Sequence, residues 1–129
     1  MANSAWQSYV ANILKYNGAN CACLAGKDGS IWASSPDLKP TADEIKKIVD
    51  NVANGCHDSI TINGKKLITI MAGDGELRAA GNDYAIDCRV LKSMVIITGN
   101  SNPKDCPGVN RLLAQAGCAM ANYLGNCGY

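Results

Sequence analysis

The sequence predicts an α/β protein of the α+β type. A central antiparallel sheet of about six or seven strands carries the first and last helices on one face and a second helix on the other. Three observations predict this. Apolar residues recur at helical spacing near the start of the chain, again before residue 55, and again at the end. Short runs divided by turn residues fill most of the second half. Met94-Val95-Ile96-Ile97 is apolar at every position rather than at alternate ones, so this strand needs cover on both faces, and helices on one side would not suffice. The 129 residues are enough for one compact domain, and residues 1–129 read as a single one.

In the first helix, Ser4 and Gln7 stand at the spacing of a capping box. Trp6, Tyr9, Val10, Ile13, Leu14 and Tyr16 fall on one side of it. Two readings of that stripe stand side by side. All of it is core, or Val10, Ile13 and Leu14 turn inward while Trp6 and Tyr9 form part of an exposed aromatic platform, each with a flat apolar face and a polar handle. Asn17-Gly18 stops the helix.

Ala19 to Ala25 reads as a strand with Cys21 and Cys23 on one face, and Asp28-Gly29 as the hairpin turn after it. Ile31 to Ser34 returns antiparallel, with Trp32 on the face opposite Ile31 and Ala33. Pro36 and Pro40 make a loop. Thr41 and Glu44 form a second capping box, Ile45, Ile48, Val49 and Val52 keep helical spacing, and Asn54-Gly55 closes the element. The strands Ser59–Ile62, Lys66–Ala72, Glu76–Ala80, Tyr84–Leu91 and Met94–Thr98 imply an antiparallel meander. A loop over Pro103–Pro107 leads to a closing helix over Val109–Leu124, with Val109, Leu112, Leu113, Ala116, Met120 and Leu124 along one side and Gly125-Asn126 as its end. Gly117 inside it costs about 1 kcal/mol relative to Ala unless close packing compensates.

Composition narrows the function. The formal net charge is +1, so no global field points toward nucleic acid. Seven cysteines is an odd number, and no charged-then-apolar leader precedes them, which reads as free thiols in the cytosol. There is no Cys-x-x-Cys pair, and the single histidine, His57, directly follows Cys56, so neither a metal site nor a cofactor is expected. No apolar run is long enough to span a bilayer. A thiol-dependent enzyme would use Cys56 beside His57, or Cys106 just before the last helix, but Asp58 and Asp105 leave neither thiol clearly activated.

The order of elements and the placement of aromatics resemble profilin, across nearly the whole chain. The residues that carry the likeness are Trp6-Gln7-Ser8-Tyr9-Val10, Trp32 after the Asp28-Gly29 turn, Asn63-Gly64 with Lys66 leading the next strand, and Tyr123-Leu124 followed by Gly128-Tyr129. The resemblance implies a cytoplasmic, cytoskeleton-associated and non-enzymatic adaptor. Its partners would be monomeric actin and proline-rich proteins such as filament elongation factors, which together would let it regulate filament assembly.

The proline-rich site carried over comprises Trp6, Tyr9, Trp32, Tyr123, Leu124 and Tyr129. A polyproline II helix has no internal hydrogen bonds, so flat aromatics can pack on its rings while Trp and Tyr donors meet its carbonyls. Five of the seven aromatic residues would share that surface. The actin site carried over comprises Lys66, Arg78, Arg89, Asn110 and Arg111. The sequence departs from the family there, with Ala79-Ala80 after Arg78 and few charges in the last helix. A module that keeps proline-rich binding with weak or lost actin binding is therefore the alternative. Phosphoinositide headgroups would engage Lys46, Lys47, Lys65, Lys66 and Lys104.

Overall fold

The computed structural model describes residues 4–129, and of Ser4 the backbone only, so the Ser4–Gln7 capping box lies outside the described residues. Among the described residues the elements run α1 (Ser4–Ile13), β1 (Cys21–Gly26), β2 (Ile31–Ser34), α2 (Ala42–Asn54), β3 (Ile60–Ile62), β4 (Lys65–Gly73), β5 (Glu76–Ala80), β6 (Ala85–Val90), β7 (Met94–Asn100), a 3-10 turn (Pro103–Asp105) and α3 (Val109–Asn126). The strands form a seven-stranded sheet in the order β2-β1-β7-β6-β5-β4-β3, with every neighbouring pair antiparallel. The last strand thus pairs with the first and brings the chain ends to the same region.

Strand alternation sorts the interior into two layers. Cys21, Cys23, Val95 and Ile97 pack with Ile45, Ile48 and Val52 of α2. Their neighbours Ala22, Leu24, Met94 and Ile96 pack with Val10 and Ile13 of α1 and Leu113, Met120 and Leu124 of α3. Every residue of β7 is buried, as its unbroken apolar run requires. The predicted layers therefore hold, with α1 and α3 on one face and α2 on the other.

The second capping box is present. Thr41 Oγ1 accepts from the Glu44 N–H at 3.2 Å, and Glu44 Oε1 accepts from the Thr41 N–H at 2.9 Å. The carboxylate does more than cap α2. It also accepts from the backbone N–H groups of Asn63 and Gly64 at 2.9 Å each and from the Thr61 hydroxyl at 2.8 Å, which fastens the β3–β4 turn to the start of the helix.

Three expectations are corrected. First, α1 ends at Ile13 rather than at Asn17-Gly18, because Lys15 and Tyr16 donate to carbonyls three residues back and tighten the chain into turns. Leu14 therefore leaves the buried stripe and is 37% exposed. Second, Trp32 does not simply face away from Ala33. Ala25 pairs with Ile31 and Leu24 with Ala33, so Trp32 is the extra residue of a β-bulge. Both Trp32 and Ala33 pack on the α1/α3 layer. Third, α3 runs through Gly125 to Asn126, one half-turn beyond its predicted end.

Candidate functional site

The bulge in β2 and the pairing of the chain ends create an aromatic surface. Trp6 and Tyr9 lie one turn apart on α1, with ring centroids separated by 5.5 Å. The bulge brings Trp32 to 4.8 Å from Trp6. Tyr129 stands edge-on to Trp6 at 5.0 Å and to Trp32 at 6.4 Å. Tyr123 on α3 closes the row, 5.9 Å from Tyr9. Tilted and edge-on rings at these separations are the arrangements that aromatic quadrupoles favour, so the array is held in place before any ligand arrives.

The position of Tyr129 is fixed by more than ring contacts. Gly128 adopts φ +98°, a conformation that turns the chain back after α3 and that side-chain-bearing residues rarely reach. The Tyr129 N–H then donates to Leu124 O at 3.1 Å, while Tyr129 O accepts from the Ser93 N–H at 2.8 Å and the Ser93 hydroxyl at 3.1 Å. Ser93 lies in the β6–β7 turn, and nothing in its local sequence marks it as a support for the C-terminus. Hydrogen bonding to the Tyr123 side chain raises the Tyr9 phenol above its ordinary value, which ties the two helices together at their rims.

The structure brings five of the six aromatic-site residues onto the surface. Trp6, Tyr9, Trp32 and Tyr129 are half-buried and Tyr123 is 54% exposed. Leu124 is the correction. It has 0% exposure and packs beneath the array, between α3 and the sheet, because it continues the buried stripe of Val109, Leu113, Ala116 and Met120. Of the two aromatics outside the array, Tyr84 is core and donates to Asp37 O at 2.8 Å. Tyr16 lines a cleft of about 410 Å³ between α1 and α3, with Tyr9, Asn12, Lys15, Met120 and Tyr123 among its walls. That cleft continues the aromatic surface away from Trp32.

A second concave surface, of about 630 Å³, lies between α3 and the strands β5 and β6. Arg78, Arg89, Asn110 and Arg111 meet there, together with Glu76, Ala114, Gln115 and Cys118. Lys66 does not join them. It pairs with Thr61 at the β3 edge, five residues along β4 from Met71, the partner of Arg78, which is roughly 16 Å of strand rise.

Nor are Arg78 and Arg89 free charges. Arg78 Nε donates to Glu76 Oε2 at 2.7 Å, Arg89 Nη2 reaches the same oxygen at 2.9 Å, and Arg89 Nε donates to Asp87 Oδ2 at 3.0 Å. Arg89 Nη2 also donates to Ala114 O on α3 at 3.0 Å. The signal for this quartet is in the sequence. Glu76-x-Arg78 and Asp87-x-Arg89 each place opposite charges on one strand face, and register sets the two pairs side by side.

The lysines expected to meet phosphoinositides are scattered. Lys46 and Lys47 lie on α2, Lys65 and Lys66 at the sheet edge, and Lys104 ahead of α3, while Lys47 is paired with Asp58 at 3.6 Å. Burial pushes the Cys21 and Cys23 thiols up to about 12 and that of Cys88 well above its ordinary value, so these three serve as small core hydrophobes. Cys56 and Cys106 are half-buried, and Cys118 and Cys127 are exposed. No helix among the described residues is long and apolar enough to cross a membrane.

A family model described as Profilin matches residues 4–129. The profilin of Drosophila melanogaster is 28% identical over 128 residues, covering 96% of this chain and 98% of the relative. Profilin-1 of Entamoeba histolytica is 30% identical over 131 residues, with the same two coverages of 96% and 98%. Among solved structures, Acanthamoeba castellanii profilin IA has a TM-score of 0.80 at 20% identity, covering 96% of this chain and 99% of that one. Mouse profilin IIa in complex with a double repeat from the FH1 domain of mDia1 gives 0.69 at 22%, also over 96% and 99%. LokiProfilin2 in complex with rabbit actin gives 0.67 at 12%, over 93% and 98%. The structural likenesses speak for the fold and the matches in sequence for descent: the chain belongs to the profilin family.

Proposed function

We propose that this chain is a cytoplasmic, non-enzymatic adaptor that binds monomeric actin through the concavity between α3, β5 and β6, holds proline-rich segments on its aromatic surface, and so regulates filament assembly. The observation that carries the reading is the gathering of Trp6, Tyr9, Trp32, Tyr123 and Tyr129 from both chain ends and a bulged strand onto one surface. A core would bury such rings. A binding surface leaves their faces and polar tips at the rim, where a stiff polyproline II segment can lie on them at little entropic cost. Leu124 acts from below by holding the array level.

Support for the two partners comes from relatives, since mouse profilin IIa was solved with an FH1 repeat and LokiProfilin2 with rabbit actin. A decaproline titration followed by tryptophan fluorescence tests the groove. Both tryptophans sit in the array, so binding changes the emission, and Trp6→Ala abolishes binding. Unchanged emission at millimolar peptide would refute the groove.

A second reading has its own observation. Arg78 and Arg89 are tied to Glu76 and Asp87, and Lys66 lies apart from them, which favours a module that retains proline-rich binding with weak or lost actin binding. Assembly of pyrene-labelled actin separates the two, because no change in spontaneous nucleation at several-fold excess of the protein selects the weaker form.

A further inference from the structure

Beneath the concavity lies an arrangement that the binding reading alone does not use. Asp87 is 1% exposed and sits on β6 between three elements. Glu76 and Arg78 face it from β5, Arg89 from its own strand, and Thr98, its cross-strand partner, from β7. Gly117, Ala114, Arg111 and Cys118 belong to the stretch of α3 packed over the cluster. A Cβ at Gly117 would collide with Asp87 Oδ2, so the helix backbone rests directly on the carboxyl group.

The two oxygens of Asp87 differ. Oδ2 accepts from Arg89 Nε, whereas Oδ1 is buried with no donor among the described residues, and Arg78 Nε stands 4.0 Å from it. The side chain next to it is another carboxylate, Glu76, which already accepts from both arginines.

We propose that Asp87 is a positioning residue of the actin-facing concavity and acts in its protonated form, with Oδ1–H donating to Glu76, so that release of this one proton redraws the surface offered to actin. The inference rests on the actin reading given above. A single proton satisfies the orphaned oxygen and removes the repulsion between adjacent carboxylates. Burial raises the Asp87 carboxyl first, the bond to Glu76 adds to the rise, and Arg89 opposes it, giving about 8. Glu76 moves the other way. Burial works against its charge, but hydrogen bonds from Asp87 and Arg78 and the charge of Arg89 hold it below its ordinary range. The proton belongs to the pair, and the geometry assigns it to the more buried member.

With the proton in place, two guanidinium groups face one carboxylate and the concavity carries a net positive charge. Arg78, whose side chain is 38% exposed, stays directed along its bond to Glu76. When the proton leaves, Arg78 and Arg89 are balanced by Glu76 and Asp87, the concavity keeps only the charge of Arg111, and Arg78 is drawn inward to Asp87 Oδ1. Affinity for an acidic contact surface therefore falls as pH rises.

The test measures actin affinity of the wild-type chain and of Asp87→Asn across a pH series. Asn keeps a donor for Glu76 and an acceptor for Arg89 but cannot titrate. Dividing the two constants at each pH cancels the titration of actin itself. The wild-type dissociation constant rises about three- to tenfold relative to that of Asp87→Asn between about pH 6.5 and about pH 9, within the tenfold per pH unit that one proton allows. Asp87→Ala, which lacks the donor, is weakened at every pH.

A carbon-13 NMR titration of the wild-type carboxyl groups, without actin, reads the proton itself and needs no variant to fold. A carboxyl signal assigned to Asp87 that titrates above about pH 6 supports the proposal, and one already ionised at pH 6 overturns it. A flat affinity ratio with a titrating signal overturns the positioning role. Failure to bind actin at any pH would sink the actin reading, and with it the positioning role, while the NMR measurement would still decide where the proton lies.

Discussion

Replacing either of two glycines in α3 with alanine provides a sharp test of how the helix is seated, because the same change should have opposite signs at the two positions. A glycine in a helix interior costs about 1 kcal/mol relative to alanine, so Gly→Ala ordinarily stabilises. At Gly125 nothing lies within 4 Å of the added methyl, and Gly125→Ala should gain a few tenths to about 1 kcal/mol, the lower end applying near a helix terminus.

At Gly117 the methyl would overlap Asp87 Oδ2, with Asp87 Cγ at 3.3 Å and Arg89 Nε at 3.5 Å. None of these atoms can swing away, because Asp87 is 1% exposed and Arg89 is bonded to Glu76, Asp87 and Ala114 O. The helix must lift. Lifting stretches the Arg89 bond to Ala114 O, worth about 1.5–3 kcal/mol as a bond from a charged group, and strains a close-packed contact at about 1–3 kcal/mol. Against the propensity gain of about 1 kcal/mol, Gly117→Ala should lose about 1.5–5 kcal/mol. Urea unfolding with the slope held common measures both variants. Stabilisation by Gly117→Ala equal to that by Gly125→Ala would refute the direct seating of α3 on Asp87.

Three further outcomes follow from other bonds. Glu44→Gln should cost about 2–3 kcal/mol at neutral pH, because four donors lose a charged acceptor. Burial raises the Glu44 carboxyl, but those donors outweigh it and leave it below its ordinary value. Its contribution is therefore present above the usual carboxylate range and lost as pH falls through the lowered value, so wild-type stability should drop more steeply than that of Glu44→Gln below about pH 4.3 in acid unfolding. Asp87 acts in the opposite sense. Its raised carboxyl means the folded chain holds a proton that the unfolded chain releases, so wild-type stability should decline relative to Asp87→Asn from the ordinary aspartate range up to about pH 8; equal slopes would show an ordinary carboxyl. Deleting Tyr129 removes ring contacts to both tryptophans and should weaken decaproline binding about five- to thirtyfold by fluorescence titration, the cost of about 1–2 kcal/mol typical of a central aromatic.

The sheet was legible because its signals are local. Asn63-Gly64 and Gly73-Asp74-Gly75 mark turns at the positions where β3–β4 and β4–β5 reverse, and the apolar run at Met94 announces a strand covered on both faces. What stayed hidden depends on residues far apart in the chain. The cap formed by Thr41 and Glu44 can be read from spacing, but the bonds from Glu44 to Thr61, Asn63 and Gly64 cannot, since they exist only after the β3–β4 hairpin has docked. The reason for Gly117 is Asp87, thirty residues earlier and on another element. Strict alternation misplaces Trp32 because it allows no extra residue, and the bulge that re-aims it leaves no mark in Ile31-Trp32-Ala33-Ser34. The family resemblance places Leu124 on the aromatic surface beside Tyr123, yet adjacent helical residues point about 100° apart, and here one faces the sheet while the other faces out.

That angular separation also bears on how one helix can serve two partners. Arg111 and Tyr123 are twelve residues apart on α3, roughly 18 Å along the axis and about 120° around it. One end lines the charged concavity and the other lines the aromatic surface, so ligands at the two places need not collide. Between them Leu113, Ala116 and Met120 are buried against the sheet, and Gly117 rests on Asp87. Such a helix moves as a body. Lifting its middle by a methyl at position 117 should disturb the arginines and also displace Tyr123 from Tyr9, whereas Gly125→Ala, beyond the last sheet contact, should leave the concavity untouched. A Gly117→Ala variant that lost actin binding while keeping wild-type decaproline affinity would show that α3 bends between the two surfaces instead of carrying both.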